Sequence, residues 1–202
     1  RMVSEEEIGL LIEEMPELSG PDVHVQKEVY AHFGLAFMKF GLVEHSLINI
    51  VTFRHVADAL QRRLISDRQS WELAFDTSHA AAVKLTFGNL VKSVLKVDEF
   101  VDLEVELNAI KTVRDYFAHR FMRDEAHHAG SDDGCWLLLA KIAVVRRKTL
   151  ALENALRPRF QQMCRRFRIL LPDDAHVDKT VEDYLSDAAN SLAAGKAKVG
   201  WE

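Results

Sequence analysis

The stretch Val29–Ile50, VYAHFGLAFMKFGLVEHSLINI, decides the fold. Within it Val29, Phe33, Ala36, Phe40, Val43, Leu47 and Ile50 recur at three- and four-residue intervals, the period of one helix face. Leu35, Phe37, Met38 and Leu42 widen that stripe, which predicts a helix central to a bundle. Gly34 and Gly41 share a face of this helix and predict close approach by a neighbouring one.

The rest of the chain carries the same helical signal. Val56–Leu64 reads as a further helical segment that ends near Ser66 and Asp67. Thr77 or Ser78 is the predicted cap of a helix over Ala80–Lys96, and Asp98 opens another that runs through Leu103, Leu107, Ile110, Phe117 and Phe121. The polar stretch Arg123–Gly134 reads as a loop. A long helix follows over Trp136–Leu170, with Pro158 as a kink or break. Ser4 and Glu7 form a capping box for a short helix that Pro16 closes, and residues 17–22 read as a linker. Pro172–Asp174 is a predicted turn, Thr180–Ala194 a last amphipathic helix, and 195–202 a tail. The division expected is 1–22, a bundle over 23–170, and 171–202. The fold class is an all-α bundle of five or six helices.

Composition agrees. Four prolines and nine glycines in 202 residues are too few for the frequent turns of a β-sandwich or barrel. Two cysteines, Cys135 and Cys164, exclude a disulfide scaffold or a cysteine-based zinc module. Ser4-Glu5-Glu6-Glu7 is unlike a signal peptide, and the longest apolar run, Trp136–Val145, is broken by Lys141 and falls short of a membrane span. These features predict a cytoplasmic chain that does not cross a membrane.

The net charge of −5 is segregated. Residues 1–30 hold eight acids and two bases, and 172–202 hold seven acids and three bases. Between Lys141 and Leu170 nine bases face one acid, Glu153. That segment could meet a phosphate backbone or pair with the chain's own acidic ends.

Few motifs carry chemistry. Asp124-Glu125-Ala126-His127 spells a helicase box, but no G-x-x-x-x-G-K-[ST] phosphate loop accompanies it. His127, His128, Asp132 and Asp133 read as a solvated loop rather than a metal site, because adjacent side chains diverge. What remains is Arg114-Asp115-Tyr116-Phe117-Ala118-His119. On a wheel of about 100° per residue Arg114 falls within the stripe of Leu103, Leu107, Ile110, Phe117 and Phe121. A charge there must pair with an acid, reach a subunit interface or bind an anion. Asp115 and His119, four apart, lie on a second, polar face. A carboxylate at that spacing can orient an imidazole, and the same spacing suits an ordinary surface ion pair.

Arg114 to His119 is an R-x4-H motif, and it resembles the signature of the HEPN superfamily, helical bundles that include many metal-independent endoribonucleases. Phe87-Gly88-Asn89-Leu90-Val91 and the long helix over Phe33–Ile50 are in keeping, so the resemblance covers roughly residues 25–125. Phe121 stands where some toxin branches carry Tyr, and Asp115 where Asn is most frequent. The resemblance implies a homodimer whose two copies of Arg114 and His119 line one cleft and cleave RNA by attack of its 2′-hydroxyl, with no metal or other cofactor. His119 is then the general acid or base, Arg114 stabilises the phosphate, and Asp115 orients His119. Arg120, Arg123 and Tyr116 are the residues expected to hold RNA. A toxin or phage-defence role would bring a neutralising antitoxin as partner. The rival expectation is a non-catalytic dimerising module with a regulatory or adaptor role, in which Arg114 pairs with an acid such as Glu44. On an ideal helix, residues five apart diverge by about 140° and rise about 7.5 Å. Arg114 and His119 therefore meet at one phosphate only if the helix ends near Ala118 or a second subunit supplies the other half.

Overall fold

The computed structural model describes residues 24–171, together with Lys179 and Ser186. The short helix and linker expected over residues 4–22, and the turn, last helix and tail expected beyond Pro172, lie outside the described residues. The bundle forms one compact unit, Pro21–Ile169. Among the described residues every regular element is helical. The elements are α1 (His24–Gln61), α2 (Arg68–Val83), α3 (Phe87–Val94), a 3-10 helix (Asp98–Leu103), α4 (Glu104–His119), α5 (Phe121–Glu125), a second 3-10 helix (Ala126–Gly130) and α6 (Asp132–Arg166).

Helix α1 is the axis of the bundle and packs against α6, α2, α3 and α4. Its inner stripe is the expected one: Val29, Ala36, Phe40, Val43, Leu47 and Ile50 are buried. The stripe runs on through Val51, Val56 and Ala57, because no breaker separates Ile50 from Val56, and the segment read as distinct is the last part of the same helix. Helix α1 ends in a Schellman turn: Leu64 N–H donates to Ala59 O at 2.9 Å and Arg63 adopts φ 57°. Helix α6 ends the same way, with Ile169 N–H donating to Cys164 O at 2.8 Å and Arg168 at φ 56°.

Two boundaries differ from expectation for local reasons. Asp67, not Thr77 or Ser78, opens α2, because its carboxylate accepts from Ser70 N–H while the Ser70 hydroxyl reaches back, a capping box without Glu or Gln. Thr86 then caps a separate short helix, α3, so the single helix expected over Ala80–Lys96 is two. The stretch expected as a loop over Arg123–Gly134 is helical on both sides of an extended Ser131, which caps α6 at Asp132. Gly134 is required there: a Cβ at this position would overlap the backbone of His128. Pro158 lies inside α6 without dividing it.

The outer side of α1 departs most from the sequence reading. Leu35, Phe37, Met38 and Leu42 are exposed rather than part of the core. Among the described residues no neighbouring helix approaches Gly34 or Gly41, and a Cβ at either would meet open space. Helix α1 is also long and apolar enough to meet the length-and-composition criterion for a membrane span, a feature hidden by its scattered polar residues when only unbroken apolar runs are sought. Four bases of the 141–170 segment have partners within the bundle. Lys141 meets Glu125, Arg159 meets Asp102, Arg166 meets Glu99 and Asp98, and Arg146 donates to His32 Nδ1 at 3.0 Å.

Candidate active site at the end of α4

Leu103, Leu107, Ile110 and Phe117 carry α4 onto the core, and Phe121 continues the stripe past its end. Four phenylalanines fix this end to α1. Phe33 stacks on Phe117 and Phe121 with centroids 5.5 and 5.6 Å apart, Phe117 and Phe121 stack at 4.4 Å, and Phe40 meets Phe117 edge-on. Helix α4 ends at His119. Arg120 leaves helical geometry (φ −131°, ψ −32°), while its N–H still donates to Tyr116 O at 2.8 Å. The chain therefore turns directly after the motif histidine, with neither Gly nor Pro to announce it.

Arg114 is partly buried, its side chain 28% exposed. Its guanidinium lies 5.8 Å from the centroid of the Phe87 ring and donates to Asp115 Oδ1 at 3.3 Å. It lines a depression of about 480 Å³ whose other walls are Phe33, Phe37, Met38, Gly41 and Glu44 of α1. Glu44 shares that depression, but the ion pair of Arg114 is with Asp115. His119 is exposed and lines a different groove, of about 680 Å³, with Lys111, Asp115, Tyr116 and Arg120. Within the chain the two motif residues thus open onto separate surfaces.

The Asp115 carboxylate takes Arg114 on one side and Lys111, 3.8 Å away, on the other. Among the described residues it makes no hydrogen bond to His119, so the orienting contact suggested by the spacing is replaced by a clasp on two cations. Arg120 and Arg123 both lean on Asp124, at 3.3 and 3.1 Å, in exposed pairs. Such pairs contribute about 0–1 kcal/mol and yield readily to a phosphate. The Tyr116 hydroxyl donates to Glu125 Oε1 at 3.0 Å. Burial and the Glu125 carboxylate push the phenol above its ordinary range, so it stays a neutral donor.

The sequence reading missed Glu125, seen there only as part of a helicase-like box. Its side chain is 14% exposed, and it accepts from Lys141 Nζ at 2.6 Å as well as from Tyr116. Chiefly the Lys141 ammonium holds its carboxyl below the usual range, against the opposing effect of burial. His128 Nε2 lies 3.5 Å from the same carboxylate. The His127 ring lies tilted against that of His128, and among the described residues no group of three or more His, Cys, Asp or Glu side chains gathers to hold a metal ion. Comparison with known protein families, with characterised proteins and with solved structures finds no match for this chain.

Proposed function

We propose that the protein is a metal-independent endoribonuclease of HEPN type, acting in the cytoplasm as a homodimer. The observation that carries the reading is the helix end at His119, which exposes the imidazole one turn beyond a partly buried arginine at the rim of an apolar depression. RNA supplies its own nucleophile, so the site needs only an acid–base group and a stabiliser of charge. His119 takes the proton of the 2′-hydroxyl or gives one to the leaving 5′-oxygen. Arg114 offers its planar fork of donors to the extra negative charge of the pentavalent phosphate. The 2′-oxygen bonds to phosphorus as the bond to the 5′-oxygen breaks, leaving a 2′,3′-cyclic phosphate and a 5′-hydroxyl. No cofactor enters this chemistry.

In this reading two protomers pair through the outer side of α1, at whose rim Arg114 lies, and Arg114 of one meets His119 of the other, which answers their separation within a single chain. Asp115 holds Arg114 and Lys111 near the cleft instead of orienting His119. Arg120 and Arg123 exchange Asp124 for the RNA backbone, and the ring of Tyr116 lines the groove as a surface for a base. A toxin or phage-defence role, with a neutralising antitoxin, suits such an enzyme.

The second reading is a non-catalytic dimerising module, a regulator or adaptor. The Arg114–Asp115 pair favours it, since the charge already has a partner within one chain. The pair is half-exposed and formed between adjacent residues, so it neutralises Arg114 weakly.

The test is cleavage of end-labelled RNA in excess EDTA by the native protein, His119→Ala and Arg114→Ala. Chelator-resistant cutting that leaves cyclic phosphate ends and vanishes in both variants supports the nuclease. Absence of cutting across varied RNAs by a folded native dimer supports the module.

A further inference from the structure

The chain turns at Arg120 without a glycine or proline, so something else must hold the turn. One anchor is apolar, the Phe117–Phe121 stack. The other is polar and centres on Glu125. This carboxylate closes α5 and joins three other elements: Tyr116 of α4, Lys141 of α6 and His128 of the second 3-10 helix. Tyr116 lies one turn before His119, and its backbone oxygen accepts from the Arg120 N–H that makes the corner.

We propose that Glu125 is the positioning residue of the His119 corner: by gripping Tyr116 and Lys141 together it fixes the direction in which the last turn of α4 presents the histidine. The part of this statement that concerns RNA cleavage rests on the function proposed above, whereas the part that concerns the corner does not. Glu125 is the more enclosed member, 14% exposed against 40% for Lys141, and loss of it removes at once the acceptor that the Tyr116 hydroxyl and the Lys141 ammonium share. Small displacements of an acid–base group lower turnover without weakening substrate binding.

The experiment compares the full chain with Glu125→Ala and Glu125→Gln by backbone hydrogen exchange and by cleavage kinetics. Gln keeps one oxygen, which can accept from Lys141, and puts an amide N–H where the second oxygen met the Tyr116 hydroxyl. Glu125→Ala should speed exchange of the amides from His119 to Asp124 by about tenfold while those of α6 beyond Lys141 stay unchanged. It should lower kcat by about tenfold at constant KM, and Glu125→Gln should recover part of both losses. Exchange that is unaltered in Glu125→Ala, or that rises equally throughout α1 and α6 in both Glu125→Ala and Tyr116→Phe, overturns the proposal. Should Ala destabilise the whole chain, Tyr116→Phe provides the second variant, with the same local exchange expected. If the native protein cuts no RNA, the nuclease reading fails by that result alone, and the exchange pattern still decides whether Glu125 holds the corner.

Discussion

Along α1, Val43, Leu47 and Ile50 are fully buried, whereas Phe37 and Met38, on a neighbouring face of the same helix, are 48% and 66% exposed. The two sides are built from the same residue types at the same helical spacing. The inner side meets α3, α4 and α6; at the outer side Gly34 and Gly41 face open space. A helix that is apolar on more sides than its own bundle can cover has apolar area to spare. The difference shows that the helical period locates apolar faces without telling the buried from the exposed. In the proposed nuclease the outer side joins two protomers, and Arg114 sits at its rim.

Truncation should separate the two sides most sharply. Leu47→Ala should cost about 3 kcal/mol of folding stability, the usual result of a cavity at a fully buried leucine. Met38→Ala should stay within about 0.5 kcal/mol when measured on the dissociated protomer, as expected for an exposed side chain. Urea denaturation of both variants measures the contrast, and equal losses would mean that the outer side is core after all.

The converse experiment places a charge on the outer side. Phe37→Glu should leave the protomer folded but weaken the dimer by about 2 kcal/mol, or roughly thirtyfold in Kd, as at a central interface residue. Sedimentation velocity over a concentration series reads this directly. A native protein that sediments as a monomer at every concentration would remove the role assigned to this face.

The inner side ends at the Glu125 corner, which has a pH dependence of known sign. Its folded-state pKa is depressed, chiefly by Lys141, so its contribution to stability is present above the ordinary carboxyl value of 4.5 and is lost as pH falls through the folded value. Below about pH 4.5, native protein should therefore lose more stability than Glu125→Gln does. Parallel denaturation curves at pH 7 and pH 3.5 test this, and identical pH dependence would show that the ion pair contributes nothing.

The smallest effect concerns how α1 ends. Arg63 occupies a left-handed conformation that glycine adopts without strain, so Arg63→Gly should stabilise the chain by about 0.5–1 kcal/mol. A rise of a few degrees in Tm would register it.

The all-α class and the inner stripes of α1 and α4 were legible in the sequence, because burial on one side leaves a strict three-to-four spacing. The boundaries were less so. The Asp67 cap uses Ser70 in place of the usual Glu or Gln, and the break at Arg120 depends on contacts of Phe121 and Glu125 with residues that local patterning does not link to it. The same limit applies at the site. Arg114 was visible as a charge within an apolar stripe, and His119 through its motif. The clasp of Asp115 on Arg114 and Lys111 was hidden, because a carboxylate four residues before an imidazole is equally well placed for cations on its other side. Glu125 could not be found from spacing, since Tyr116, His128 and Lys141 reach it from three different elements.

The most direct test of the composite cleft is subunit mixing. Arg114→Ala and His119→Ala chains, each inactive alone, are exchanged with one another and assayed on RNA in EDTA. Half of the dimers would then be mixed, and each mixed dimer would hold one intact pair across its two-fold axis. Cutting should thus return to about a quarter of the native rate. If mixed dimers form and cutting does not return, Arg114 and His119 do not act across the interface, and the account of this site is wrong.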